Sequence, residues 1–425
     1  MYLEWELCDR NQKVLARLDN RRPGASVTIP LNGGRTATVP LALDDPAVSS
    51  LNPLSTVLRV TLKDRDGFSQ PIFVGRVQLP ERQSTPDQQG VTVAAADPWR
   101  QFEKFLIRYE ILVPTYFTGP GLGPAYTLQP FVNRDQSEIM WLLIEGAQEP
   151  ESIDRDHGVV KGDLPESVKR DRSYSPLTNL AEALLQMSQV IGGPDFELAP
   201  VVANDGTLCE FNTFYPRQGS DKSAEIVFVH GASPSTATEF VYAAGGDNVC
   251  NRCVAIGAPF EGYSEGEEVE GEGQATELRP GYVAEHPASI ADLGGVFEEV
   301  LAYDTVIDPA TLGEHAKAHV AANAYPIPFF DFASALSPTE GEPLDGDGVP
   351  PRFLIDYGIG DTIAVEDHRP DGSVVTVTGR VTDATITENA SGQLAVKLTC
   401  APKLDSAGVE GHALDVYVLS QEVST

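Results

Sequence analysis

The chain has 425 residues, 41% of them hydrophobic, which suits a globular protein of roughly two to four domains. Its formal charge of −32 excludes binding to the outside of nucleic acid or to an anionic membrane surface, since both need a basic patch. No apolar run reaches the length of about 18 residues that a spanning helix needs, so no membrane-spanning segment is expected.

The start, Met1-Tyr2-Leu3-Glu4-Trp5-Glu6, lacks a basic n-region and an apolar h-region. No secretory signal is expected, and the chain reads as folded in a cytoplasm. Five scattered cysteines, Cys8, Cys209, Cys250, Cys253 and Cys400, read as buried free thiols.

Residues 1–106 read as a first β domain. Leu3, Trp5 and Leu7 alternate with Glu4 and Glu6, the pattern of a half-buried strand. Further strands are expected at 14–18, 36–41, 57–61, 72–79 and 91–94, with Pro40 marking an edge or a bulge. Asp97–Leu106 predicts a short helix that caps this unit.

Residues 107–172 read as a middle β-rich domain, with a strand at 107–113, a helix over 137–147 and an irregular polar stretch over 149–172. Residues 173–325 read as mixed α/β. One helix starts at Ser175 with Pro176 in its first turn and carries the stripe Leu177, Leu180, Leu184, Met187, Ile191 up to Gly192. A second opens with Ser289 and Asp292 and is expected to bury Leu293, Val296, Phe297, Val300 and Leu301. A third runs from Asp308-Pro309 to about Ala324. Strands are expected near 196–198, 208–214, 225–230 and 254–256. The Glu- and Gly-rich stretch 260–283 self-repels and reads as a solvated insertion. Residues 326–425 return to β structure as a second β domain.

The two end domains share a pattern. Val74-Gly75-Arg76-Val77 recurs as Thr378-Gly379-Arg380-Val381, and the turn Asp66-Gly67 recurs as Asp371-Gly372. Gly379 lies 304 positions after Gly75, and Gly372 lies 305 after Gly67, so a single gap aligns both. The strand 91–94 then matches 394–398. The chain therefore reads as α+β, mostly β, with two similar barrel-like domains flanking mixed middle domains. The glycines mark a bulge or a close approach, and the arginines are expected to pair with acidic neighbours across the rim.

Several groups look chemical and are better explained otherwise. Phe228-Val229-His230-Gly231 resembles the element that supplies an oxyanion-hole amide, and Gly262-Tyr263-Ser264-Glu265-Gly266 matches the nucleophile motif of a serine hydrolase. Ser264, however, sits in the acidic stretch, with no strand before it and no helix after it. Cys250 and Cys253 have the spacing of half a zinc site but no second ligand pair, and buried thiols explain them better. His315 and His319 have metal-capable helical spacing, but Glu314 precedes His315 rather than following it, so a solvated helix face is expected. Asp345 and Asp347 lie in a Gly/Pro loop, and Asp304 precedes the helix start at Asp308; turn chemistry accounts for these carboxylates. No catalytic, cofactor-binding or metal residue is assigned.

The runs Trp5–Asn11, Leu54–Val60, Phe73–Val77 and Val91–Asp97 resemble the start of tail hub, or minor tail, proteins of long-tailed siphoviruses of actinobacteria, relatives of the baseplate hub of contractile-tailed phages. The middle fits too, through Asp195-Phe196-Glu197, Phe214-Tyr215-Pro216-Arg217 and Asn251–Gly257, as does the end, Asp356–Val365. The resemblance implies a non-enzymatic virion protein at the tail tip. It would be a homotrimer whose duplicated barrels form a pseudo-sixfold ring, meeting the distal tail protein ring on one side. On the other it would close around the tape measure protein C-terminus, beside other tail-tip or fibre proteins, and gate the passage of phage DNA. Any peptidoglycan hydrolase would lie in another protein, and no cofactor is implied. A secreted β-rich binding module is the other reading, and it would show a signal peptide and exposed aromatic clusters.

Overall fold

The computed structural model describes residues 1–65, 67–78, 81–84, 89–107, 131–148, 157–172, 174, 178–190, 192–246, 249–257, 279–303, 306, 308–336, 351–389 and 392–401. The first strands are β1 (Tyr2–Cys8), β2 (Val14–Arg17), β3 (Ser26–Pro30) and β4 (Thr36–Ala42). They are followed by β5 (Val57–Lys63), β6 (Ser69–Val77), β7 (Glu81–Ser84) and β8 (Gln89–Ala96). The sequence reading finds six of these and misses β3 and β7. β1 alternates as expected on its apolar side, but Glu6 is buried rather than solvated, held by Arg59 at 2.6 Å and Arg17 at 3.5 Å. Pro40 sits where the β3 pairing, which covers only Thr36–Thr38, has run out. Its missing N–H faces that side, so the ladder to β8 loses nothing.

The middle elements are α1 (Trp99–Phe102), β9 (Phe131–Asp135), α2 (Gln136–Gln148), β10 (Val159–Lys161), β11 (Lys169–Arg172), α3 (Leu180–Ser188), β12 (Asp195–Pro200) and β13 (Cys209–Phe214). One core holds them, with Phe102, Ile139, Ile144, Leu184, Phe196 and Phe211 inside it. The stretch expected to be irregular supplies β10, parallel to β13, and β11, antiparallel to β9. α3 buries Leu180, Leu184 and Met187 as the stripe predicts, but its N-cap is Asn179, whose Oδ1 accepts from Glu182 N at 3.3 Å. Ser175, Leu177 and Ile191 lie outside the described residues, as does the strand expected at 108–113.

The chain continues with β14 (Val227–His230), β15 (Thr238–Gly245), β16 (Arg252–Gly257), β17 (Gly281–Glu285), α4 (Pro287–Leu293), β18 (Glu298–Tyr303) and α5 (Pro309–Asn323). It then forms β19 (Ile327–Ala335), β20 (Thr362–His368), β21 (Val374–Glu388) and β22 (Leu394–Ala401). α5 matches its expected bounds, with the Asp308 carboxylate accepting from Ala310 N and Thr311 N. The second expected helix is corrected. It stops at Leu293 because Gly294 turns left-handed at φ 68°, and the next apolar residues form β18, parallel to β16. Leu293, Val296, Phe297 and Val300 are exposed rather than buried. The last residues of the acidic stretch, Gly281–Val283, open β17, and 258–278 lie outside the described residues.

One sheet of 14 strands joins the two ends of the chain. Its main path runs β15-β19-β22-β21-β3-β4-β8-β6-β5-β1-β2, with β20 pairing β21 and β14 pairing β20. Trp5, Leu58 and Val93 from the first unit share one core with Phe332, Ile363 and Leu398 from the second. Among the described residues no pairing closes either unit into a barrel.

Candidate assembly surface

The two end units repeat one another pair by pair. Leu58 faces Gly75 across β5 and β6, and Ile363 faces Gly379 across β20 and β21. Arg76 faces Ala96, and Arg380 faces Ala401. Val39 faces Val93, and Phe332 faces Leu398. Val27 faces Ala37, and Tyr242 faces Phe330. Even the edge strand β7 has a counterpart: Glu81 faces Thr92, as Thr385 in the far half of β21 faces Lys397. The order β3-β4-β8-β6-β5 in one unit is thus β15-β19-β22-β21-β20 in the other. The units differ in their last strand, since β1 joins β5 antiparallel and β14 joins β20 parallel.

The repeated glycines are explained by packing. A Cβ on Gly75 would strike the Ala96 carbonyl and Phe73, and one on Gly379 would strike the Phe330 ring and press on the Ala401 carbonyl at 3.0 Å. The same strand crossing needs glycine in both units. The repeated arginines diverge. Arg380 pairs with the buried carboxylate of Asp195 on β12, and also donates to Gly360 O at 3.0 Å and Gln218 O at 2.8 Å. Arg76 instead lines a cleft of about 460 Å³ together with Asp97, Arg100 and Lys104.

Two junctions hold the units in place. In the first, β3 pairs antiparallel with the far half of β21, from Pro30 opposite Asp383 to Ser26 opposite Thr387. Thr28 and Thr385 hydroxyls meet at 3.1 Å, and Arg21 grips Glu388 at 2.6 Å. In the second, β12 ties the middle core to both units. Asp195 takes Arg380 from one and Asn32 Nδ2, at 2.7 Å, from the other, while Glu197 takes Arg35. Near this tie Asp97 is buried. Burial pushes its carboxyl up to about 7, against the pull of two backbone donors, Arg35 N at 2.7 Å and Trp99 N at 3.0 Å.

The sheet β17-β16-β18 covers α5 with one face through Cys253, Ala255 and Ala284. On the other face Val283, Val254 and Val300 stand in one row, with Val283 and Val300 exposed. Phe297 and Val296, just before β18, are exposed as well.

The chemistry-like groups disperse. His230 Nδ1 contacts Asp367 Oδ1 at 2.8 Å, and Gly231 turns at φ 75° against the His368 carbonyl. Ser264, Asp304, Asp345 and Asp347 lie outside the described residues. Cys250 and Cys253 are buried free thiols, and burial pushes Cys253 up to about 12. The two histidines of α5 do not share a solvated face. His315 is buried, stacked on Tyr303 at 4.5 Å and close to Arg172, so burial and that cation push its pKa down to about 3. His319 turns to Glu299 at 2.8 Å. The ligand atoms of Cys250, Glu299 and His319 fall within 4.8 Å of one another, a metal-capable group that the helix spacing did not indicate. Hydrogen bonds account for it, since the Cys250 thiol donates to Arg252 O at 3.3 Å. The open strands β7 and β15 were likewise not read from the sequence.

No family model matches the chain, and no curated protein matches it. Among solved structures it is similar to the 43 kDa tail protein of prophage MuSo2 from Shewanella oneidensis, at 9% identity and TM-score 0.55, over 96% of this chain and 100% of that one. It is also similar to the tail protein from Neisseria meningitidis MC58, at 12% identity and TM-score 0.53, over 95% of this chain and 98% of that one. The chain therefore has the fold of these tail proteins, from its first strand to its last described one.

Proposed function

We propose that the chain is a structural virion protein, the hub of a phage tail tip. The observation that carries this reading is the internal duplication, in which one chain presents two β units with the same strand order and registers. Three such copies would place six like units in a ring, which suits a sixfold distal tail protein on one side and a threefold tip on the other. The middle elements would close that tip around the tape measure protein C-terminus, and other tail-tip or fibre proteins would attach outside. The exposed pair Val283 and Val300, which flank Val254 on one face of the sheet β17-β16-β18, is the kind of apolar surface that a partner covers. The likeness of fold to two tail proteins supports the same reading.

The charge of −32 fits a channel wall that phage DNA passes without sticking or sequence-specific binding at ejection. The role is architectural rather than catalytic. A hydrolase would need Ser264, and Ser264→Ala would then abolish ester turnover. The direct test is imaging of assembled tails with an antibody against this chain. Label and threefold density at the tip are expected, while label along the tube, or none, would defeat the reading.

A further inference from the structure

Three separate pieces of chain meet where α5 lies on the sheet β17-β16-β18. Leu301 and Tyr303 of β18 pack on the core under α5. Glu299 stands two residues before Leu301 on the same face, where the alternation of a strand calls for an apolar side chain. Its Oε2 meets His319 Nε2 of α5 at 2.8 Å. Cys250, just before β16, is 1% exposed, and its sulfur and the two other ligand atoms all lie within 4.8 Å of one another.

The hydrogen bonds that account for this group also fix its geometry. Cys250 N donates to Asn323 O at 2.8 Å, at the end of α5, and Asn323 Nδ2 donates to His319 O at 2.9 Å. On the strand side, Asn251 N donates to Phe297 O at 3.0 Å, and Asn251 Oδ1 accepts from Phe297 N at 2.7 Å. The cysteine is thus anchored to both elements that carry its neighbours. Arg252 is held by Glu285 at 3.2 Å and Glu298 at 3.1 Å, while Glu299 turns to the histidine. A cysteine that only fills space needs neither an imidazole nor a carboxylate beside its sulfur.

From this placement we infer that Cys250, Glu299 and His319 form a binding site for a divalent, borderline-soft metal ion such as Zn²⁺, with water as the fourth ligand. One thiolate, one imidazole and one carboxylate suit that class of ion, whereas Mg²⁺ and Ca²⁺ take oxygen ligands. Tetrahedral bonds of about 2.0–2.3 Å put neighbouring ligand atoms about 3.5 Å apart. The histidine and the carboxylate must therefore open slightly, and the sulfur must draw closer. Both adjustments are side-chain rotations, since the Glu299 side chain is 50% exposed and that of His319 24%. On binding, the thiol proton now given to Arg252 O leaves to water, and the imidazole keeps its one proton on Nδ1. Two anionic ligands then balance the charge of the ion. The site clamps α5, β18 and the turn before β16 over a small core, and it is independent of the hub reading.

The test is titration of the full-length, reduced chain with Co²⁺, which reports its ligands by colour. A thiolate-to-cobalt band in the near ultraviolet and tetrahedral bands in the red are expected, saturating at one ion per chain. Zn²⁺ should bleach them, and excess Mg²⁺ should not. Cys250→Ser is expected to abolish the thiolate band. Glu299→Gln and His319→Ala, at partly exposed side chains, should each weaken Co²⁺ binding at least about tenfold. Glu298→Gln removes the same charge one residue away and should bind as the unmodified chain does. Zn²⁺ should also raise the urea midpoint of the unmodified chain but not that of Glu299→Gln, whose fold without metal is checked by circular dichroism. Absence of the thiolate band, equal weakening by Glu298→Gln and Glu299→Gln, or a urea midpoint unmoved by Zn²⁺ overturns the site.

Discussion

Arg380 makes one of the ties between the middle of the chain and its ends, and Asp97 is buried beside another. Arg380 holds Asp195 with little exposure of either partner, so removing the cation leaves a buried carboxylate uncompensated. Arg380→Ala is expected to cost about 3–5 kcal/mol, read as a lower urea midpoint, and Arg380→Lys less, since lysine keeps the charge but loses the fork. Asp97 predicts a pH dependence. Its folded value near 7 lies above the ordinary 3.8, so the folded state holds this proton where the unfolded chain has released it. Its contribution is present below pH 3.8 and is lost as pH rises through about 7. Asp97→Asn should flatten that part of the stability-against-pH curve. It should also cost about 1–3 kcal/mol at low pH, because the amide turns a donor toward either Arg35 N–H or Trp99 N–H. Chemical denaturation at several pH values separates the two effects.

Among the elements, the repeated hairpin crossing decides most. Gly75 and Gly379 occupy one position in two copies of a strand crossing; the Ala96 carbonyl stands where a Cβ would go in the first and the Phe330 ring in the second. Gly75→Ala and Gly379→Ala should each lower stability by about 1–3 kcal/mol, with equal sign, measured by urea unfolding. An effect at only one of them would mean that the units are not packed alike. α4 and β18 show how an element can be misread. Ile290, Leu293, Phe297 and Leu301 keep helical spacing, yet Gly294-Gly295 interrupts the backbone and β16 offers a parallel partner. The strand wins because its N–H and C=O groups are satisfied by pairing and Leu301 and Tyr303 pack toward α5, although this leaves Val300 in solvent.

For the molecule as a whole, the sheet of 14 strands turns two end units into one body. β14 and β15 reach that sheet from residues 227–245, although the sequence groups them with the helices, and between β15 and β19 the strands β16, β17 and β18 form a sheet of their own. Slow amide exchange is the expected signature at this scale for β3 and the far half of β21, whose ladder joins the units, with faster exchange in β7 and β15, which each pair on one side among the described residues.

The sequence by itself determined the mostly β composition, the duplicated unit, the two glycines at the repeated crossing, and helices such as α5 whose caps are local. These depend on neighbours in the chain: alternation, turn residues and an Asp-Pro start. Only the tertiary structure decided that Glu6 and His315 are buried, that Arg380 and Arg76 have parted in role, and that the two units share an edge. Strand pairing across more than 300 positions, such as Ser26 with Thr387, leaves no mark in local periodicity. β3 and β7 are short strands of five and four residues whose identity comes from the partner rather than from their own residues.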